Sequence, residues 1–142
     1  PLDSYMKSFD AVPSQEGVNK QLRVTVNMPH GHPPGWAPQE IGLFVDQYLK
    51  NGRPLPQVGA PQLLDGQVHV PVLGSTAVVS AELHSTQQTG EINQREWTST
   101  MATVDGDHVT AKAPPANTTA WFVTVQDDRD AVVSTRIEFA QP

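Results

Sequence analysis

Apolar and polar positions along this chain follow two different periods. Near the start, Leu2, Tyr5, Met6 and Phe9 recur at i, i+3, i+4 and i+7, the spacing of one helix face. Pro13 predicts the end of that helix, because it lacks an N–H and clashes with the preceding turn. Gly17 and Asn19 mark a turn. Leu22, Val24, Val26 and Met28 then alternate with Arg23, Thr25 and Asn27, which predicts a strand with one wet face. The stretch Pro29-His30-Gly31-His32-Pro33-Pro34-Gly35-Trp36 has no period and reads as a loop. A second helix is predicted after it. Pro38 suits the first helical position, and Gln39 and Glu40 favour its positive end. Ile41, Phe44, Val45, Tyr48 and Leu49 form one apolar stripe. Lys50 suits the C-terminal end and Gly52 the left-handed stop. Gly42 costs up to about 1 kcal/mol against Ala in such a helix, so packing of the stripe must compensate. Arg53-Pro54-Leu55-Pro56 leaves as an extended linker.

Beyond residue 56 the helical period disappears. Candidate strands recur at about 60–64, 67–73, 77–84, 95–102, 107–112, 119–126 and 131–139, a spacing that suits a β-sandwich. Turn signals separate them: Asp65-Gly66, Gly74-Ser75, Thr89-Gly90, Asp105-Gly106, Pro114-Pro115 and Asp127-Asp128. Asp105-Gly106 is a strong hairpin signal. The pattern therefore predicts helix, strand, loop and helix over 1–55, then an all-β domain over 56–142. One strand and two helices cannot close a core, and both helices need a sheet to cover. The first part thus reads as the remnant of an α/β domain whose other strands precede Pro1.

Composition and charge narrow the function. Hydrophobic residues are 37% and charged residues 17% of the 142, leaner in both than a typical globule. Thr, Ser, Gln, Gly and 13 Pro fill the gap, which suits short strands and many turns. The net charge of −6 argues against nucleic acid, whose phosphates need a basic footprint. No apolar stretch reaches the roughly 20 residues that span a bilayer, and the apolar stretches lack the basic flanks of a membrane-surface helix. With no cysteine, disulfides, thiolate nucleophiles and cysteine zinc sites are excluded.

The densest candidate chemistry lies in the loop after the 22–28 strand. A histidine just past a strand end and before a helix sits where doubly wound sheets place catalytic groups. His30 there suits a general base that takes a serine proton and returns it to the leaving group. The competing reading is that His30 and His32 decorate a proline-rich surface loop. His30 and His32 also form an H-x-H pair, but no third ligand can be named among His69, His84 and His108, so no metal and no cofactor is assigned. Asp3 precedes His30 at a tolerable interval for a triad acid, yet the start of a helix more often uses Asp as a cap. No G-x-S-x-G occurs. Among the aromatics, Trp36 in the loop and Trp97 between Glu96 and Thr98 are the candidate substrate contacts, while Trp121 lies in the apolar run 120–125 and reads as core. Asp127-Asp128-Arg129-Asp130 reads as a solvated hairpin turn rather than a calcium site.

Met28-Pro29-His30-Gly31-His32-Pro33-Pro34-Gly35-Trp36-Ala37-Pro38-Gln39-Glu40-Ile41, with Phe44-Val45-Asp46 and Leu49-Lys50-Asn51-Gly52-Arg53-Pro54-Leu55-Pro56, resembles the C-terminal end of a group of bacterial α/β-hydrolases. These are acetylxylan-esterase-like and prolyl-oligopeptidase-like enzymes. Pro1-Leu2-Asp3-Ser4-Tyr5-Met6-Lys7-Ser8 is similar to the segment just after the family's triad Asp. Ala120-Trp121-Phe122-Val123-Thr124-Val125-Gln126-Asp127-Asp128-Arg129 and Val133-Ser134 resemble the closing hairpin of an appended β-sandwich, and also the PhoPQ-activated pathogenicity-related proteins. Asp130 departs from the Gly expected after Arg129. The resemblance covers most of the chain in patches.

It implies the last strand and helices of an α/β-hydrolase sheet, followed by an immunoglobulin-like β-sandwich. It further implies a serine ester hydrolase whose triad base is His30, with His32 as the alternative. The nucleophile and acid would then lie upstream of Pro1, and the chain alone would be inactive. The implied substrate is an acylated polysaccharide or small ester, the implied partner is the upstream hydrolase segment, and the implied location is periplasmic or secreted. A different class of function stays open: a non-catalytic β-sandwich module that binds glycan or packs against a partner domain.

Overall fold

The computed structural model describes residues 2–13, 20–91 and 94–140. The turn expected at Gly17 and Asn19 and the capping use of Asp3 lie outside what is described. Among the described residues three helices come first: α1 (Leu2–Ala11), α2 (His32–Trp36) and α3 (Glu40–Leu49). Nine strands follow: β1 (Gln57–Val58), β2 (Gln62–Leu64), β3 (Gln67–Leu73), β4 (Ser80–Thr86), β5 (Thr98–Asp105), β6 (His108–Lys112), β7 (Ala120–Gln126), β8 (Val132–Ser134) and β9 (Glu138–Phe139).

All pairings are antiparallel and belong to one sheet in the order β1-β3-β6-β5-β4-β7-β8, with β2 also on β3 and β9 also on β7. The expectation of an α/β-hydrolase remnant followed by an immunoglobulin-like sandwich is therefore overturned. No parallel pair exists among the described residues, and the β part is one nearly closed, barrel-like sheet in which β1 lies against β8. The device that joins what would be two sheets is β5. Thr98–Ala102 pair with β4, and Thr103–Asp105 pair with β6, so a single strand turns the corner. Two hairpins are set by their turn residues. Asp65 and Gly66 both take positive φ (49° and 75°), as a two-residue type I′ loop requires. In the β5–β6 hairpin only Gly106 does so (φ 59°), at the first central position, the type II′ pattern.

The barrel interior is apolar because period-2 alternation puts one residue set inside. Val68 and Val70 of β3, Ala81 and Leu83 of β4, Val109 and Ala111 of β6, Val123 and Val125 of β7 and Val133 of β8 form one buried cluster. Register joins them: Val70 faces Val109, Leu83 faces Val123 and Ala81 faces Val125. The expected strand 131–139 is broken in the middle. The Thr135 hydroxyl accepts the Val123 N–H at 3.0 Å, and its own N–H goes to the Val123 carbonyl at 2.8 Å, so one residue occupies both ladder positions.

The first third packs on this sheet. The predicted 22–28 strand is not a strand. Its alternation is real as far as Val26, with Leu22, Val24 and Val26 half-buried and Arg23 and Thr25 exposed. Among the described residues, however, only two bonds reach the sheet: the Ser134 N–H to the Leu22 carbonyl (2.7 Å) and the Val24 N–H to the Ser134 hydroxyl (2.8 Å). The side-chain hydroxyl replaces the ladder partner, and Asn27 turns the chain away with φ 57°. The segment is therefore a strap, and the sheet that it and α1 cover is the antiparallel one in this chain. Beneath the strap, Met6 of α1 joins Ala120, Phe122 and Ile137 in a second buried cluster on the outer face of β7, against which Leu22, Val24, Val26 and Trp97 pack.

Helix α3 lies where predicted, but its stripe does not point wholly inward. Leu43 and Phe44 pack on the barrel cluster, while Ile41, Val45, Tyr48 and Leu49 stay exposed. The left-handed residue that ends the helix is Asn51 (φ 52°), not Gly52. Gly52 serves a close approach instead, since a Cβ there would sit 3.1 Å from the Asp46 carbonyl.

Candidate functional site: the histidine loop and two flanking clefts

The loop expected to be structureless contains α2. Pro33 and Pro34 occupy its first turn, where the missing N–H groups have no partner to lose, and the Gly35 N–H reaches the Gly31 carbonyl at 3.2 Å. His30 precedes this turn and His32 opens it, and both imidazoles are exposed. Neither makes a hydrogen bond or ion pair with a described residue. Trp36 closes the turn and is 74% exposed.

What holds the loop in place is its far end. Glu40, in the first turn of α3, is buried, and its carboxylate accepts the Val132 N–H at 2.6 Å and pairs with Arg23 of the strap. Gln39 donates to the Arg129 carbonyl at 3.0 Å. One carboxylate thus ties strap, helix and β8 together. Glu40, expected only to favour the helix N-terminus, also does this.

Two clefts flank the strap. On the α3 side an apolar cleft of about 440 Å³ is lined by Leu22, Met28, Ile41, Phe44, Val45, Leu55 and Val133, with Gly35 and Pro38 of the histidine loop at its border. On the other side a cleft of about 360 Å³ lies between the strap and the outer face of β4 and β7, where the polar groups of Ser80, Glu82, His84, Thr124 and Gln126 sit beneath Arg23 and Thr25, with Val24, Val26, Ala81 and Val132 as its apolar lining. His84 is its built element. One ring nitrogen lies 2.7 Å from the Ser99 hydroxyl and the other 2.8 Å from the Thr124 hydroxyl, and the ring stacks on Phe122 with centroids 4.8 Å apart. Burial pushes the imidazole below its ordinary value, partly offset by the Glu82 carboxylate. A neutral ring has one donor and one acceptor nitrogen, so one hydroxyl donates to it and the other accepts.

Comparison with protein-family models, with curated proteins and with solved structures returns no match.

The structure brings some sequence candidates together and separates others. His30, His32 and Trp36 share one exposed turn. Trp97, taken from sequence as the exposed aromatic, is half-buried instead, edge-on to Phe122 with centroids 5.3 Å apart, and lies in the cluster under the strap. It belongs to the packing of the N-terminal layer, away from the histidine loop. Trp121 is half-buried against the barrel cluster, as its apolar run implied. His69 and His108 sit on β3 and β6, and no group of three or more His, Cys, Asp or Glu able to hold a metal occurs among the described residues.

Two features escaped the sequence reading. His84 was a bare strand histidine, and only register shows it between Ser99 and Phe122. The 127–130 turn is also not simply solvated. Asp127 has no exposed surface. It accepts the N–H groups of Arg129 (2.8 Å) and Ala131 (3.1 Å) and the Arg129 guanidinium (2.9 Å from Nε). Burial alone would raise its pKa, but these donors outweigh it and hold the carboxyl below the usual range. Arg129 in turn donates to the carbonyls of Arg53 (3.0 Å) and Pro54 (2.8 Å), which pins the linker to the β7–β8 hairpin. Asp130 takes φ 62°, the left-handed role in which a Gly was expected.

Proposed function

We propose that this chain supplies the general base of a serine ester hydrolase, with His30 in that role and His32 as its alternative. The nucleophile and the acid come from outside the chain, and the substrate is an acyl ester on a polysaccharide or a small alcohol. The observation that carries this is a pair of exposed, unpaired imidazoles on one tight turn with exposed apolar surface next to them: Trp36 on the same turn, and Ile41 and Val45 in the cleft that Gly35 and Pro38 also line. An isolated surface loop has no need of such a border. A neighbouring segment docked there would exclude water from the imidazole and bring a serine hydroxyl within hydrogen-bond reach. His30 would then remove the serine proton as the oxygen attacks the acyl carbon, and the imidazolium would protonate the departing alkoxide. The resemblance read in residues 28–41, 44–46 and 49–56 to acetylxylan-esterase-like hydrolases points to the same chemistry.

A second reading has its own observation. The β sheet closes on an apolar core and carries the strap without any contribution from His30. That favours a non-catalytic module that binds glycan or packs on a partner through the Trp36 face.

The test is to express the complete reading frame that contains this sequence and assay acetyl-ester hydrolysis. The proposal expects His30→Ala to lose at least about a hundredfold in kcat, the low end of what a positioned acid–base group contributes, with His32→Ala losing far less. It expects this chain alone to be inactive. Undiminished turnover in His30→Ala, or no ester hydrolysis in the complete protein, would favour the non-catalytic reading. In that case tryptophan fluorescence on adding xylan oligosaccharides should respond, and Trp36→Ala should abolish the response.

A further inference from the structure

The cleft on the far side of the strap plays no part in the proposed chemistry of His30, and its lining has an unbalanced charge. Glu82 and Thr124 face each other directly across β4 and β7, and Ser80 and Gln126 form the next pair on the same face. Such cross-strand neighbours lie about 5 Å apart at Cβ, so these four side chains converge on one small patch. Arg23, the cation at the rim, is paired with Glu40 on the other side. Glu82, half-buried, makes no hydrogen bond and no ion pair with any described residue. The cleft therefore holds one carboxylate without a bonded partner, beside the oxygens of Ser80, Thr124 and Gln126; Thr124 already meets His84 (2.8 Å) and Ser80 meets Gln126 (3.4 Å), and each oxygen keeps a further lone pair.

The geometry points to a binding site for a primary ammonium group in this cleft, with Glu82 as its counter-anion. An ammonium group carries three N–H donors and no acceptor. The carboxylate of Glu82 takes one charge-assisted bond, and the hydroxyl and amide oxygens beside it take the others. A neutral polyol fits less well, because its hydroxyls need donors as well, and the Ser80 hydroxyl already donates to Gln126 (3.4 Å), the Gln126 amide to Asp130 (2.6 Å) and the Arg23 guanidinium to Glu40. Aromatic stacking for a sugar ring is also missing from the lining, since Phe122 lies beneath the His84 ring. The same head group is carried by a free alkylamine and by a lysine side chain.

The experiment is an amide NMR titration of the folded chain with n-butylammonium. Saturable shifts confined to residues 80–84, 124–126 and 23–25 are expected, and Glu82→Gln should weaken the apparent Kd at least tenfold. Tetramethylammonium has the same charge and no N–H donor, so it should bind several-fold more weakly, and n-butanol should not bind. Nα-acetyl-lysine methylamide distinguishes the sources: tighter binding than butylammonium indicates a peptide lysine, weaker binding a free amine, and saturation by either supports the site. Absence of saturable shifts with both amines overturns the inference. So does undiminished binding by Glu82→Gln, equal affinity for tetramethylammonium, or shifts of equal size around Asp105 and Asp107, which would mean general charge screening. The tetramethylammonium comparison uses the unmodified protein, so the test survives a variant that fails to fold.

Discussion

The inner and outer faces of the β4–β7 pair are built on the same strands and held by different balances of apolar burial and hydrogen bonding. Inside, Leu83 meets Val123 and Ala81 meets Val125 within a continuous cluster of buried apolar side chains. Outside, Glu82 meets Thr124 and His84 meets Phe122, and the covering layer joins a smaller apolar cluster around Met6, Phe122 and Ile137 to a few polar hooks: Ser134 to the strap, Glu40 to β8 and Gln39 to the turn after β7. Apolar burial is non-directional and shared over many contacts. A hydrogen-bonded hook has one geometry and one partner. The inner face should therefore fail as a whole, and the outer layer should come away piece by piece.

Leu83→Ala should break the inner face most severely. A fully buried leucine costs about 2–5 kcal/mol on truncation to alanine, and the loss should appear in one cooperative unfolding transition. Two separated transitions in urea would contradict a single shared core. Glu40→Ala should have a smaller and local effect, about 2 kcal/mol, because it leaves Arg23 and the Val132 N–H without their acceptor. Hydrogen exchange should quicken in residues 21–26 and α3 while the amides of β3 and β6 keep their protection. Equal acceleration everywhere would show that the outer layer is not separable.

The smallest effect sharpens the comparison through pH. His84 is buried neutral, with a folded value below the 6.5 of a free imidazole. As pH falls through about 6.5 the unfolded chain takes up a proton before the folded one does, so the contribution of this residue to stability declines until the lowered folded value is passed, and then levels off. Urea midpoints at pH 7.5 and 5.0 should differ more for the parent than for His84→Gln. An identical difference would place the pH dependence elsewhere.

Much of the sheet was legible in the sequence because its signals are local. Gln67–Leu73 and Ala120–Gln126 alternate or run apolar between turn residues, and Asp65-Gly66 and Gly106 carry the positive φ that their hairpins need. Helix α3 was legible for a similar reason. The strap was not. Leu22, Val24 and Val26 have the pattern of a strand, but pairing depends on what the neighbouring edge offers. Here Ser134 offers a hydroxyl where a ladder would continue. At the site, the exposed turn with His30, His32 and Trp36 could be located from Pro and Gly alone. The placement of Trp97 could not, since Glu96 and Thr98 beside it gave no sign of Phe122.

Sequence by itself determined which residues could enter a core, where the chain must turn, and that a chain of charge −6 without cysteine has neither a basic footprint for phosphates nor a thiolate for chemistry. Tertiary structure alone decided that β5 bends from one partner to another and makes one barrel-like sheet, that Asp127 is buried among donors, and that Glu82 is left without a partner in a cleft. The reason is range. Periodicity and turn chemistry act over a few residues, whereas register, burial of a charge and the meeting of two faces depend on segments that come together only when the chain folds.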